Sequence, residues 1–297
     1  MAKIVTLSVP FPGAKRPLEE GKKLGMWEFI PLEGARVDIP PADVYILAAW
    51  HPVYERLLGL GKKVGILWTS SGGEMDLEPV EQTYLEMINR DPRVSFIWFG
   101  DIALARIYPQ KGFYAPYPFD VDGVNPLGVE KKNIATLFCP TGPKKNVLNQ
   151  LLAMRLVQQE KRWVLHTNVT GYDYLLNKYA PGALDCVRHG WLPEEEYHNL
   201  LASARVNLAC SWAETFNYGV AEAGLLGTIS VVSHTIPLPG LQVAHLNNPI
   251  HIAERVLLSE SYSLKDIIAS MQSKLEFNNH EVKRILPERQ IPYGICP

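Results

Sequence analysis

The segment "RVNLACSWAETFNYGVAEAGLLGTISVVS", from Arg205 to Ser233, contains the sequence signals of a strand, a loop, a helix and a second strand. The run "RVNLACS" is typical of a strand that is buried on both faces, as happens when helices cover both sides of a parallel sheet. The stretch "YGVAEAGLL" is predicted to form a helix that begins near Asn217 or Tyr218 and ends at Gly227. The run "TISVVS" follows as the next strand. The segment therefore predicts a parallel βαβ unit.

The same alternation of apolar runs and helical stretches occurs in both halves of the chain, which predicts an α/β protein with parallel sheets. Strand candidates begin at Lys3, Val44, Lys63, Val94 and Phe113 in the first half, and at Ile134, Arg162, Leu184, Arg205 and Thr228 in the second. Between the halves, "DVDGVNPLGVEKKN" at residues 120–133 is rich in Gly, Pro and charge and is predicted to be a linker. We therefore expect two doubly wound domains, residues 1–133 and 134–297. The polar, proline-broken tail from about Leu275 is predicted to lie across the surface without adding another βα unit.

Composition narrows the possible partners of this chain of 297 residues. A formal net charge of −2 and a pI near 6.5 disfavour nucleic acid as the primary partner. The sequence has no apolar run of about 20 residues and no secretory signal at its start, so a cytoplasmic protein is expected. A basic stretch with Lys15, Arg16, Lys22 and Lys23 suggests at most peripheral contact with a membrane. Four cysteines without a C-x-x-C pair indicate neither a zinc site nor a redox motif.

Two glutamates, Glu214 and Glu222, stand at the carboxyl end of a predicted strand. Ligands bind at this edge of open α/β sheets, and two doubly wound halves would place their edges at a central cleft. The backbone N–H groups of residues 216–219 at the helix start would receive phosphate. At about 1.5 Å rise per residue, Glu222 lies roughly one turn further along. A diphosphate with a sugar at each end would thus meet both carboxylates, although two solvated acids near a helix start are the simpler alternative.

The stretch "ETFNYGVAEAGLLGTISVVS" resembles the Glu-x7-Glu segment of retaining nucleotide-sugar glycosyltransferases with the GT-B fold. Further segments resemble that family as well: "VRHGWLPEEEYHNLLASARVNLACSWAE", "TIPLPGL", "PYPFDVDG" and "TGPKKNVLNQLL". The resemblance is strongest over residues 134–258. It implies two Rossmann-like domains facing a central cleft, with the acceptor bound by the first and the nucleotide sugar by the second.

The resemblance also implies roles for particular residues. Glu214 would contact hydroxyls of the donor sugar, Glu222 the ribose, and Lys144 and Lys145 the leaving diphosphate. The full donor-binding set is Lys144, Lys145, Arg188, Glu214, Thr215, Phe216, Asn217, Tyr218, Gly219 and Glu222. The loop that carries the two lysines is shorter than is usual in the family and lacks its Gly-Arg pair. Solvated lysines and a surface arginine are the alternative explanation.

Candidate acceptor residues stand at strand ends of the first half. His51 follows a buried strand and is a possible base for the acceptor's proton, which would make it catalytic together with Glu214 and Lys145. Gly13, Ser70 and Ser71 are further candidates for the acceptor pocket. An ordinary loop histidine and ordinary turn residues explain these positions equally well.

An Asp-x-Asp pair, Asp120 and Asp122, lies in the predicted linker. Such a pair binds the catalytic metal in the other main glycosyltransferase architecture. Because no neighbouring histidine or acid completes a coordination set here, we expect no metal at this position. We also expect no cofactor, with the nucleotide sugar as a substrate.

The sequence thus predicts a glycosyltransferase that moves a hexose from a nucleoside diphosphate to a hydroxyl of a glycan, a lipid or a small molecule. No carboxylate is placed beneath the anomeric carbon, so the leaving diphosphate would act as the base and the configuration would be retained. The alternatives are an epimerase or phosphorylase on the same scaffold, or a non-catalytic partner subunit that binds sugar nucleotides. A dehydrogenase is disfavoured because no G-x-G-x-x-G follows the first strand of either half.

Overall fold

The computed structural model describes residues 3–33, 37–48, 53–71, 79–125, 128–140, 142–179 and 182–289. The chain divides into two compact units. The first comprises residues 1–120 and 275–297, and the second comprises residues 121–274. The linker predicted at residues 120–133 thus begins where the second unit begins. Among the described residues, no helix has the length and apolarity that crossing a bilayer requires.

The first unit contains a six-stranded sheet in which every neighbouring pair is parallel. Its strands are β1 (Ile4–Ser8), β2 (Glu28–Pro31), β3 (Val44–Ala48), β4 (Lys63–Trp68), β5 (Val94–Phe99) and β6 (Gly112–Tyr114), in the order β2-β1-β3-β4-β5-β6. The helices described between them are α1 (Pro12–Lys23), α2 (Val53–Leu58), α3 (Pro79–Arg90) and α4 (Ile102–Ile107). Leu7, Leu47 and Ile66 stand in register across the central strands and are all buried. The strand order reverses between β1 and β3.

The second unit contains another six-stranded parallel sheet. Its strands are β7 (Lys132–Leu137), β8 (Val164–Thr167), β9 (Cys186–Arg188), β10 (Ala204–Ala209), β11 (Ile229–Ser233) and β12 (Leu241–Val243), in the order β12-β11-β10-β7-β8-β9. Its helices are α5 (Val147–Glu160), α6 (Asp173–Tyr179), α7 (Glu194–Ser203), α8 (Tyr218–Leu225) and α9 (Pro249–Leu258). It also contains the start of α10 (Leu264–Arg289), which belongs to the first unit from Leu275 onward. The strand order reverses between β7 and β10, the type of position where doubly wound sheets bind ligands.

The two sheets confirm the prediction of two doubly wound α/β halves. The sequence did not reveal β2 and β12, which are edge strands of four and three residues. Such strands are short and only partly buried, so they lack the apolar run that marks a central strand.

The carboxyl-terminal tail adds no strand among the described residues, but it is helical where a proline-broken stretch was predicted. α10 continues to Arg289, and Pro287 stands only in its last turn. Leu275, Val282 and Leu286 recur at helical spacing and are buried. Asn279 accepts a hydrogen bond from the N–H of Phe119 (2.9 Å) and donates one to the Phe119 carbonyl (2.8 Å). The apolar face of the tail therefore outweighs its polar composition.

Candidate functional site

Two loops leave the sheet of the second unit where its strand order reverses, residues 138–146 after β7 and residues 210–217 after β10. The N–H of Trp212 donates a hydrogen bond to the carbonyl of Lys144 (2.7 Å) and joins the loops directly. Gln150 on α5, which is buried, accepts a hydrogen bond from the N–H of Cys210 (3.0 Å) and donates one to the carbonyl of Lys145 (2.8 Å). Gln150 thus fixes both loops to the same helix. The sequence analysis missed it because a lone glutamine in a helix carries no motif.

Lys145 and Glu214, one from each loop, form an ion pair between Nζ and Oε1. Their side chains are only 12% and 11% exposed, so each charge depends on the other for compensation. The thiol of Cys139 lies beside the pair, and burial raises its pKa to about 11 although Lys145 acts in the opposite direction. The thiol therefore stays protonated near neutral pH and adds no charge beside the Lys145–Glu214 pair.

Helix α8 begins four residues after Glu214. Its N-cap is Asn217, whose side chain accepts a hydrogen bond from the N–H of Val220 (3.1 Å). Phe216 is buried and packs edge-on against Tyr218, with ring centroids 4.8 Å apart. The helix ends before Gly227, which has a φ of +71°. The predicted helix limits are confirmed, and the positive end of the helix dipole lies in the same chain segment as the Lys145–Glu214 pair.

Glu222 stands one turn into α8, and its side chain is buried. It lies against α7, where Nε2 of His198 is 3.8 Å from its Oε1. This distance exceeds that of a hydrogen bond. Tyr197, the neighbour of His198, packs closely against the start of α8, because a side chain at Gly219 would place its Cβ 3.0 Å from the Tyr197 hydroxyl. The two helices are therefore tightly packed at this point.

Aromatic and imidazole rings gather after the carboxyl ends of β7 to β9. Phe138 packs against Tyr197 and His189, with ring centroids 5.4 and 5.7 Å apart. His189 Nε2 lies 3.1 Å from Nδ1 of His166. Burial, and then the proximity of His189, lowers the pKa of His166. The sequence analysis did not single out this group, although Phe138 and His189 directly follow β7 and β9 and His166 lies within β8.

Arg188 and the Asp-x-Asp pair, also singled out in the sequence, make contacts with other parts of the chain. Arg188 is 39% exposed and pairs with Asp173 on α6, which corresponds to the surface alternative considered for it. Lys144 and Thr215 are half-buried within the two loops. Asp120 contributes its backbone N–H to Glu20 (2.8 Å). Neither Asp120 nor Asp122 belongs to a group of potential metal ligands among the described residues.

The predicted acceptor residues belong to the first unit. Gly13 is exposed in the first turn of α1. After β4, Ser70 is half-buried and Ser71 is buried. His51 lies outside the described residues. The assignment of these positions to acceptor binding stays a prediction.

Solved structures with the GT-B fold are similar to this chain, two of them over nearly its whole length. A UDP-forming α,α-trehalose-phosphate synthase from Burkholderia xenovorans is 11% identical, with a TM-score of 0.71 and 98% of each chain covered. HepE from Anabaena, solved with UDP-glucose, is 13% identical, with a TM-score of 0.69 and coverage of 97% of this chain and 100% of that one. TarM from S. aureus, solved with UDP, is 10% identical, with a TM-score of 0.63 over 83% of this chain and 54% of its own.

No protein-family model matches the sequence, and no curated protein matches it. At these low identities the structural likeness shows the fold, which is GT-B, as the sequence predicted.

Proposed function

We propose that this protein is a retaining glycosyltransferase that moves a hexose from a nucleoside diphosphate sugar to an acceptor hydroxyl. The observation that carries the proposal is the Lys145–Glu214 ion pair at the strand-order reversal of a GT-B donor sheet, next to the helix that bears Glu222. Lys145 and the amino end of α8 suit the anionic diphosphate of a sugar nucleotide, and the carboxylates of Glu214 and Glu222 suit the hydroxyls of its sugar and its ribose.

The donor is proposed to bind with its diphosphate at the start of α8 and at Lys145, and with its ribose hydroxyls at Glu222. A carboxylate accepts hydrogen bonds from two neighbouring hydroxyls, and such charge-assisted bonds contribute roughly 1.5–3 kcal/mol each. The rings of Phe138, His189 and Tyr197 offer flat faces on which a nucleobase stacks. UDP sugars are the first donors to test, because HepE and TarM have been solved with UDP or UDP-glucose.

Donor binding would exchange the partners of the ion pair. In the structure Lys145 compensates Glu214, whereas a bound diphosphate offers Lys145 a stronger anion. Glu214 would then accept hydrogen bonds from sugar hydroxyls. As the bond between the anomeric carbon and the diphosphate oxygen breaks, negative charge grows on that oxygen, and Lys145 and the α8 dipole stabilise it. These groups supply the charge that a metal supplies in other enzymes, so the transfer is proposed to need no metal cofactor.

Retention follows from the position assigned to Glu214. If Glu214 contacts ring hydroxyls, the departing diphosphate is the base nearest to the incoming hydroxyl, so its oxygen accepts the proton. The acceptor oxygen then bonds to the anomeric carbon on the face that the diphosphate leaves. An α-linked donor yields an α-linked product, without a covalent sugar on the enzyme.

A panel of nucleoside diphosphate sugars tests the proposal by thermal unfolding. A bound donor at 100 times its Kd adds about 2.7 kcal/mol of stability, which shifts the Tm by several degrees. The matching nucleoside monophosphates and free sugars serve as controls. A chain that no sugar nucleotide stabilises would contradict donor binding. Stabilisation without transfer or hydrolysis would instead support a non-catalytic subunit.

The stereochemistry is tested by proton NMR of the first product formed from an α-linked donor. An α-anomer is expected. A β-anomer would exclude retention and would point to an in-line base in the first unit, with His51 as the first candidate.

A further inference from the structure

Three potential metal ligands meet between α7 and α8. Glu194 and His198 are four residues apart on α7 and therefore lie on the same face of that helix. Glu222 reaches them from α8. Each of the three offers one ligand atom, and these atoms all lie within 4.8 Å of one another. Among the described residues, this is the group whose donor atoms converge in this way.

The imidazole of His198 provides a second and independent observation. Its Nε2 is closed to solvent and has no hydrogen-bond partner. It lies 3.8 Å from Oε1 of Glu222, which is too long for a hydrogen bond. Two ligands on a tetrahedral zinc ion, with bonds of about 2.0–2.2 Å, are separated by roughly 3.4 Å. A shift of a few tenths of an ångström would therefore suffice for both atoms to bind the same ion.

The combination of metal-ligand atoms indicates which cation fits the site. One imidazole nitrogen with two carboxylates suits Zn²⁺, whereas Ca²⁺ takes six to eight oxygen ligands and Mg²⁺ retains most of its waters. Glu194 is exposed, so the ion can enter from its side and a water can complete the coordination. Glu222 and His198 form the buried side of the site, with side chains 6% and 15% exposed.

We propose that Glu194, His198 and Glu222 form a zinc site that controls access of the nucleotide to the donor pocket. Zinc would engage the carboxylate of Glu222, the group assigned to the ribose hydroxyls. Zinc and the nucleotide would then compete for the same side chain. The competition rests on the proposed function, whereas the zinc site itself does not. Zinc is thus an inhibitor of donor binding and not a cofactor of the transfer.

Zinc binding is tested on the full chain, stripped with EDTA and dialysed, by titration of Zn²⁺ against a chromophoric chelator. One saturable site is expected, and Glu194→Gln and His198→Gln should each weaken it about tenfold or more. Glu195→Gln is the matched control, since Glu195 is also exposed on the first turn of α7 but lies outside the group. Unchanged zinc affinity in Glu194→Gln would overturn the site. Because this variant alters only an exposed side chain, it is expected to fold normally.

A second imidazole pair provides a further check. His245 and His251 have ring centroids 5.0 Å apart and would also attract zinc. Loss of the saturable site in His251→Gln, with Glu194→Gln binding normally, would assign the zinc to that pair and overturn the proposal. Normal binding in His251→Gln supports it.

The competition is tested by measuring the affinity for UDP with and without zinc. Zinc should raise the apparent Kd of UDP about tenfold when its concentration is about ten times its own Kd. Because a diphosphate also binds zinc in solution, the decisive comparison is with Glu194→Gln, in which the zinc effect should disappear. An equal effect in both proteins would overturn the competition. If UDP fails to bind in EDTA, the proposed function fails, while the zinc titration still decides the metal site.

Discussion

Each unit has a buried glutamate on a helix, and the two glutamates have different surroundings. Glu20 on α1 is 1% exposed, and its Oε1 accepts hydrogen bonds from Arg16 (2.8 Å) and Lys23 (3.2 Å). Its Oε2 accepts the backbone N–H of Asp120 (2.8 Å). Glu222 on α8 is 5% exposed, and its neighbour His198 stays beyond hydrogen-bonding distance.

The difference shows that two carboxylates of similar burial can have different surroundings, so burial alone assigns no role to either of them. Both oxygens of Glu20 are bound by donors of its own unit, two of them charged, so its charge stabilises the fold. Glu222 faces a histidine whose Nε2 is closed to solvent and makes no hydrogen bond. A buried imidazole nitrogen without a hydrogen bond costs stability, and a ligand that binds this nitrogen would remove that cost. Variants of the two acids should therefore affect different measurements.

The largest effect on stability is expected for Glu20→Ala. It leaves Arg16 and the Asp120 N–H without their buried partner and should lower the free energy of unfolding by about 3–5 kcal/mol. Urea unfolding measures the change. Glu19→Ala is the control, because Glu19 pairs with Lys15 at the surface and should contribute less than about 1 kcal/mol. Equal losses of unfolding free energy in the two variants would contradict the structural role of Glu20.

Lys145→Ala tests the charged pair of the candidate site. Because charge grows on the leaving oxygen in the transition state, kcat should fall roughly 10²- to 10³-fold, with a smaller change in donor affinity. Steady-state kinetics with the best donor of the panel measures both. Lys161→Ala is the control, since Lys161 pairs with Glu260 on the surface of the same unit. A rise in KM at unchanged kcat would show that Lys145 binds the ground state and the transition state equally, and would contradict its assigned role in the transition state.

A loss of activity in Lys145→Ala has to be separated from a loss of folding, because the variant leaves the carboxylate of Glu214 buried. The double variant Lys145→Met with Glu214→Gln removes both charges. It should unfold at a higher urea concentration than Lys145→Ala while remaining inactive. A double variant with restored turnover would exclude both residues from the chemistry.

Glu222→Gln sharpens the comparison with Glu20. The loss of one charge-assisted interaction worth roughly 1.5–3 kcal/mol corresponds to UDP affinity about 10- to 150-fold weaker. Calorimetry in EDTA gives the affinity, and urea unfolding should show a smaller loss than Glu20→Ala. Intact UDP affinity in a folded Glu222→Gln protein would refute the ribose assignment.

The smallest effect is expected for Asn217→Ala, which removes the N-cap of α8. It should lower the free energy of unfolding by about 1 kcal/mol. It should also lower the affinity for UDP, because the same helix start is proposed to bind the diphosphate. Asn248→Ala removes the N-cap of α9 and is the matched control. It should reduce stability similarly and leave UDP affinity unchanged. Equal UDP affinity in both variants would show that the start of α8 does not bind the phosphate.

The sequence by itself determined the class of fold and the local setting of the two site glutamates. Strands buried on both faces need apolar runs, and these runs predicted the central strands of both sheets. Caps and glycines act within a few residues, so the limits of α8 at Asn217 and Gly227 were also visible. The edge strands β2 and β12 and the helical tail were not predicted, because their stability comes from packing partners elsewhere in the chain.

Only the tertiary structure decided which side chains meet at the site. Lys145 and Glu214 are 69 positions apart, and they meet because β7 and β10 are neighbours in the sheet. Gln150 fixes both loops for the same reason, and His198 reaches Glu222 because α7 packs on α8. Local patterns record how each segment folds, whereas these contacts depend on strand order and helix packing. Strand order and helix packing depend on burial summed over the whole unit, and no short stretch of sequence is enough to predict them.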